Sequence, residues 1–144
     1  MEPDEHVRFA RYRAEFAAVE PQDAPGLVVR VLTDPDGAMA NSAVCGYLDR
    51  RGAELLTEPG FPDWHGQMAG PVATDAFSAR RLREWALMRA VELGEPWRSE
   101  DLLAASNWCQ SYIVETSSAP AALAELAEGG RTRRVRDIAK DRLR

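Results

Sequence analysis

Two stretches of this chain repeat one another at a separation of 96 residues, and each reads as a helix, a short polar break and a second helix. The first covers residues 24–48 and the second covers residues 120–144. Their apolar positions coincide as Leu27 with Leu123, Val28 with Ala124, Val31 with Ala127, Met39 with Val135, Ala43 with Ala139 and Tyr47 with Leu143. Apolar residues that return every three or four positions predict amphipathic helices. A helix pair that recurs is typical of stacked helical units, which usually present a binding surface.

Capping and stop signals elsewhere predict further helices. Pro3, Asp34 followed by Pro35, and Thr132 mark predicted helix starts, and Gly94 marks a predicted end. No segment shows the alternation of apolar and polar residues that indicates a strand. We therefore expect an all-α chain of seven or eight helices in stacked antiparallel pairs, as a short solenoid or an irregular bundle. A length of 144 residues fits a single domain over residues 1–144.

The helical units resemble HEAT-type repeats. The motif is carried by the sequence GRTRRVRDIA at residues 130–139, and more loosely by DPDGAMANSA at residues 34–43. The resemblance covers about a third of the chain and implies helix pairs with a concave surface. It implies no activity, because this architecture hosts many functions.

Residues 57–71 interrupt the helical pattern with three prolines and three glycines. We interpret them as a long connection that contains a turn or two of helix and is held down by Phe61 and Trp64. A loop that carries Trp and His beside glycines is a place where a site can form, and Asp63 is spaced to orient the imidazole of His65. We favour the structural role and keep an enzyme centred on residues 61–65 as an alternative.

Two kinds of enzyme fit that alternative. One pairs a thiol, Cys45 or Cys109, with His65, although both cysteines are predicted to be reduced and inert on apolar helix faces. The other resembles DNA glycosylases for alkylated bases, some of which are HEAT-like, and would use Asp63 or Asp101 beside tryptophans. The tryptophans of the chain are Trp64, Trp85, Trp97 and Trp108.

Several classes of function lack their sequence signals. No cysteine or histidine spacing matches a metal site, and no glycine-rich motif matches a phosphate-binding loop. We therefore expect no metal and no cofactor. No apolar run approaches the roughly 18 residues of a membrane span, and the N-terminus is acidic where a signal peptide is basic. We expect no membrane contact and a cytoplasmic location.

The charge of the chain is uneven. Residues 131–144 hold six arginines and one lysine against two aspartates, a formal charge of +5, whereas the first 130 residues carry −10. The candidate macromolecule-binding residues are Arg131, Arg133, Arg134, Arg136 and Lys140. A phosphate contact is one interpretation. Ion pairs along the helix, and the attraction of cations to a helix C-terminus, explain the same charges without a ligand.

We expect a non-catalytic helical domain that binds another macromolecule, and we favour a protein partner of unknown identity. The first alternative is a nucleic-acid contact through the basic C-terminal helix, which the acidic remainder of the chain disfavours. The enzyme centred on residues 61–65 is the second alternative.

Overall fold

All regular structure is helical in the computed structural model, which describes residues 4–144. Within that range the chain forms nine α-helices, one 3-10 turn (Pro21–Asp23) and no strand. The helices are α1 (Glu5–Ala18), α2 (Ala24–Val31), α3 (Gly37–Leu55), α4 (Phe61–Val72), α5 (Ala76–Leu93), α6 (Ser99–Ala104), α7 (Asn107–Thr116), α8 (Pro120–Gly129) and α9 (Arg133–Arg142). The predicted all-α class is confirmed. The helix start predicted at Pro3 lies outside the described residues.

The chain divides into two compact units, one ending at Arg83 and the other beginning at Glu84, within α5. In the first unit α1 packs on α3 and α2 packs on α4. The rings of Phe16 and Tyr47 stack there with their centroids 5.0 Å apart, and Trp64 Nε1 donates a hydrogen bond to the Tyr47 hydroxyl at 3.3 Å. The expectation of a single domain stays a prediction.

Helix α3 begins two residues later than the sequence predicted. The predicted cap, Asp34, instead accepts hydrogen bonds from Arg8 Nε at 2.9 Å, from the Tyr12 hydroxyl at 2.8 Å and from the backbone N–H of Asp36. Asp36 is the actual N-cap, and its side chain accepts from Met39 N at 3.0 Å. The Arg8 guanidinium, with the backbone N–H of Asp36, lowers the pKa of Asp34 to about 2. Asp34 therefore connects α1 to the start of α3.

In the second unit α8 and α9 pack against one another, and α7 contacts both. Thr132 caps α9 as predicted, since its hydroxyl accepts from Val135 N at 3.1 Å. Trp85 is 1% exposed and lies edge-on to the rings of Trp108 and Tyr112, at centroid distances of 5.7 and 5.3 Å. These rings and the α8–α9 pair supply much of this unit's core.

The described residues form nine helices where seven or eight were expected, and one reason is that the segment after Arg98 forms two helices. Residues 99–113 show a continuous apolar face, but α6 ends at Ala104 and α7 begins at Asn107. The backbone of Ser106 is extended, and its side chain caps α7 by accepting from Cys109 N at 3.1 Å. The Ser106 backbone N–H and hydroxyl also donate to the buried carboxylate of Glu84. These bonds favour a break that the apolar pattern alone does not reveal.

The two repeating stretches begin their helices at matching positions. The starts of α2 and α8, and those of α3 and α9, are each separated by 96 residues, as are the caps Asp36 and Thr132. Their packing differs, because α8 packs on α9 whereas α2 packs on α4 and α3 packs on α1. The last apolar pair also differs: Tyr47 is 4% exposed, whereas Leu143 is 44% exposed because it follows the end of α9.

Candidate functional site

An open groove of about 650 Å³ runs between α1 and α3 in the first unit. Apart from two arginines, the exposed residues that line it are small, namely Ala10, Ala14 and Ala17 of α1 and Ser42 and Gly46 of α3. Buried Phe16, Ala43 and Tyr47 also line it. The groove is therefore a mainly apolar surface held between two helices that pack directly on one another.

Helical spacing explains why the groove exists. Ala10, Ala14 and Ala17 lie at positions i, i+4 and i+7 of α1, so they form one stripe along the helix. None of them extends beyond a methyl group. On α3, a Cβ atom added at Gly46 would meet no other atom within 4 Å. The groove exists because these residues have a methyl group or no side chain, and not because the helices beneath them pack poorly.

Two arginines border the groove. The guanidinium of Arg13 lies 5.7 Å from the centre of the Phe9 ring, within cation–π range. The guanidinium of Arg50 lies 5.7 Å from the centre of the Tyr47 ring, and its Nη2 donates to the carbonyl oxygen of Phe16 at 2.9 Å. The groove is lined by these two cations and by no carboxylate. Its rim is locally positive on a chain whose net charge is −5.

The groove continues beyond Tyr47 into a second hollow of about 380 Å³. Ala17, Tyr47 and Arg50 line both spaces. Glu54 lies in this extension, where its carboxylate is 2.7 Å from Arg51 Nη1 and 3.8 Å from Arg50 Nε. The groove was not predicted from the sequence. The stripe Ala10, Ala14 and Ala17 was a signal for it, but only the pairing of α1 with α3 turns that stripe into a concave surface.

The predicted basic residues lie on or just before α9, and most of them are exposed. Arg133 is 3.7 Å from Asp137, and Arg134 is 3.5 Å from Glu115. Arg136 Nη1 donates to the carbonyl oxygen of Gly130 at 2.8 Å. The backbone N–H of Arg131 donates to Gln110 Oε1, and its Nη1 lies 3.4 Å from the carbonyl oxygen of Ala105. Lys140, the fifth predicted residue, is exposed. The four arginines all make contacts within their own unit.

Residues 57–71, interpreted as a long connection with a turn or two of helix inside, hold a longer helix than predicted, because residues 61–65 form the first part of the 12-residue helix α4. Pro62 occupies the second position of the helix, where a missing N–H costs no helical hydrogen bond, and Pro71 falls in the last turn. Phe61 and Trp64 are buried, as their proposed anchoring role requires. His65 Nε2 lies 3.2 Å from the carbonyl oxygen of Leu82, and partial burial lowers the pKa of its imidazole. Within the described part of the chain, Asp63 makes no hydrogen bond to His65.

Both cysteines are free and buried. The polar neighbour of Cys45 Sγ is the Ser78 hydroxyl at 4.0 Å, and burial raises the pKa of the Cys45 thiol to about 11. Such a thiol is almost entirely protonated near neutral pH and is a poor nucleophile. Across residues 4–144 no hydrogen bond joins Cys45 to His65.

No group of three or more His, Cys, Asp or Glu side chains is placed to hold a metal ion in the described range. None of the helices from α1 to α9 is both long and apolar enough to cross a membrane. Trp64 and Trp85 are 6% and 1% exposed, so neither presents a ring on which a nucleobase could stack.

No protein-family model, no curated protein and no solved structure matches this chain.

Proposed function

We propose that this chain is a non-catalytic helical domain that binds another protein through the groove between α1 and α3. The groove is the observation that carries the proposal. Small residues on its surface allow a partner's backbone to approach closely, as in helix packing at 8–10 Å. They also have few rotamers to lose, so little side-chain entropy opposes binding. Apolar concave surfaces with a few fixed polar groups are typical of binding sites.

The charges favour a protein partner over a nucleic acid. Affinity for nucleic acid depends on many cations that each neutralise a phosphate, and the groove offers two arginines on a chain whose net charge is −5. The four candidate arginines on or just before α9 already contact carboxylates or carbonyl oxygens of their own unit. The nucleic-acid contact through α9 stays the alternative.

We further infer a HEAT-like relationship between the two helix pairs and a cytoplasmic location. The sequence motif at residues 130–139 and its looser match at residues 34–43 support the first inference. Two free, buried cysteines support the second, because unpaired thiols persist in reducing compartments.

Site-specific photo-crosslinking in cells tests the binding function. A photoreactive residue at Ala14 should capture one protein repeatedly, and the same residue at Gly66 should not. Gly66 is an exposed glycine of α4 that does not line the groove. The captured protein is then purified and its affinity for the chain measured by calorimetry.

Two matched glycine variants test whether the purified partner occupies the groove. Gly46 and Gly66 are both exposed helical glycines whose added Cβ meets nothing within 4 Å, so Leu fits at either site. Gly46→Leu fills the groove and should weaken binding of the purified partner by at least about tenfold, or 1.4 kcal/mol. Gly66→Leu should leave affinity unchanged. Equal affinity of the wild type and Gly46→Leu would overturn the proposal.

A further inference from the structure

We propose that the partner contributes an acidic amphipathic α-helix to this groove, with its apolar face on the small residues and its carboxylates paired with Arg13 and Arg50. This inference rests on the proposed function and specifies the chemistry of the partner. It follows from the length of the groove, from its shape and from the sign of its charges.

The length of the groove fits a short helical segment. On α1 the lining runs from Phe9 to Ala17, and on α3 it runs from Ser42 to Arg50. Each wall therefore rises about 12 Å, at 1.5 Å per residue. The extension past Tyr47 reaches Glu54 and lengthens the α3 wall to about 18 Å. A helix of two to three turns spans this distance.

The shape of the groove favours a helix over other ligands. Two packed helices leave a furrow between them, and the side-chain ridge of a third helix fits into such a furrow. Recognition of an extended strand needs an exposed sheet edge, and residues 4–144 contain no sheet. Small-molecule sites bury most of the ligand in a pocket, whereas this groove is partly open to solvent.

The charges of the residues that line the groove favour an acidic helix. The lining of the main groove contains two arginines and no carboxylate, and the extension past Tyr47 adds the ion pair of Arg51 with Glu54. Across the described residues, Arg13 has no carboxylate partner, and its position over the Phe9 ring holds the guanidinium at the rim. Arg50 is held by the Phe16 carbonyl and lies 3.8 Å from Glu54. Complementary charges at a rim steer encounter and suppress wrong partners, so carboxylates beside the partner's apolar face match this surface.

Three synthetic helical peptides of about 14 residues test the inference. The first carries Leu at i, i+4 and i+7 on an alanine background, with Glu flanking that face. The second replaces each Glu with Lys. The third keeps the composition of the first but spreads the Leu residues around the helix. Binding to the full chain is measured by fluorescence anisotropy at about 50 mM and about 500 mM salt.

The acidic amphipathic peptide should bind at least about tenfold more tightly than either of the others, and its advantage over the Lys peptide should shrink at high salt. Arg13→Gln should weaken its binding, and Gly46→Leu should abolish it. Gly66→Leu should bind it as the wild type does. Thermal denaturation of each variant verifies that the fold is retained.

The remaining outcomes separate the two proposals. If the Lys peptide binds as well as the acidic one and Gly46→Leu abolishes both, the acidic preference is overturned and the groove stands as a protein-binding site. If Gly46→Leu binds the acidic peptide normally, both proposals fail. Binding of a single-stranded oligonucleotide, or self-association of the chain, that Gly46→Leu abolishes would assign the groove to that occupant and overturn the acidic helix.

Discussion

Gly130 shows how one residue controls the packing of two helices. It is buried between α8 and α9, and a Cβ atom there would lie 2.7 Å from the carbonyl oxygen of Leu126 and 2.8 Å from Val135 Cγ1. The first contact is with backbone, which cannot move aside without shifting α8. Its backbone angles, φ −55° and ψ 144°, suit any residue, so the requirement for glycine is steric.

We predict that Gly130→Ala lowers the free energy of unfolding by about 1–3 kcal/mol, the usual cost of overpacking. Gly129→Ala is the matched control. Its Cβ would meet the end of the Leu103 side chain at 2.8 Å, and Leu103 is 36% exposed and can turn away. Its effect should stay below about 1 kcal/mol. Chemical denaturation measures both, and equal effects would contradict the role of the α8–α9 approach.

At the scale of elements, Asp34 joins α1 to the start of α3. Its native pKa of about 2 lies below the ordinary value of 3.8, so the native state holds this group ionised more strongly than the unfolded state does. The resulting stabilisation is present above about pH 4 and is lost as pH falls towards 2. His65 affects stability over a different pH range. Burial lowers the pKa of its imidazole, so the free energy of unfolding decreases as pH falls through the ordinary histidine range.

We predict that Asp34→Asn is less stable than the wild type at neutral pH and that the difference shrinks between about pH 4 and pH 2. Subtracting the two stability curves removes the contribution of His65, which both proteins share. Denaturation followed by circular dichroism at several pH values provides the measurement. A constant difference across this window would show that the charge of Asp34 does not stabilise the fold.

The basic helix α9 offers a test of the nucleic-acid alternative. The side chains of Arg133 and Arg134 are 89% and 78% exposed, and their ion pairs are the kind that contributes little in water. Changing both to Gln should alter stability by less than about 1 kcal/mol and leave peptide binding unchanged. If the wild type binds an oligonucleotide with sub-micromolar affinity and this variant weakens it, α9 becomes the functional surface.

Local signals in the sequence predicted some helix boundaries and missed others. Gly94 ends α5 with a φ of 69°, and the N–H of Glu95 donates to the carbonyl oxygen of Ala90, so glycine was a reliable stop signal there. Thr132 was equally reliable as a cap. The cap Asp34 was misassigned because Arg8 and Tyr12, distant in sequence, bind its carboxylate. The prolines of α4 were misread because proline is tolerated near a helix end.

At the scale of the whole molecule, the class of fold follows from periodicity, whereas the candidate site does not. The groove requires the stripe of α1 that carries Ala14 to face the stripe of α3 that carries Gly46, and this pairing joins segments about 30 residues apart. The exposed arginines near the C-terminus could be selected as candidates from the sequence because they lie close together in it. Arg13 and Arg50 are not contiguous, and only the fold shows that they border the same surface.

We propose that the molecule acts through the groove between α1 and α3. Amide chemical-shift mapping with the acidic amphipathic peptide tests it most directly, because one titration reports on every candidate surface at once. We predict that the largest shifts fall on Ala10, Ala14, Ser42 and Gly46 and disappear in Gly46→Leu. Shifts concentrated on residues 131–140 or around His65, with the groove unaffected, would contradict the claim.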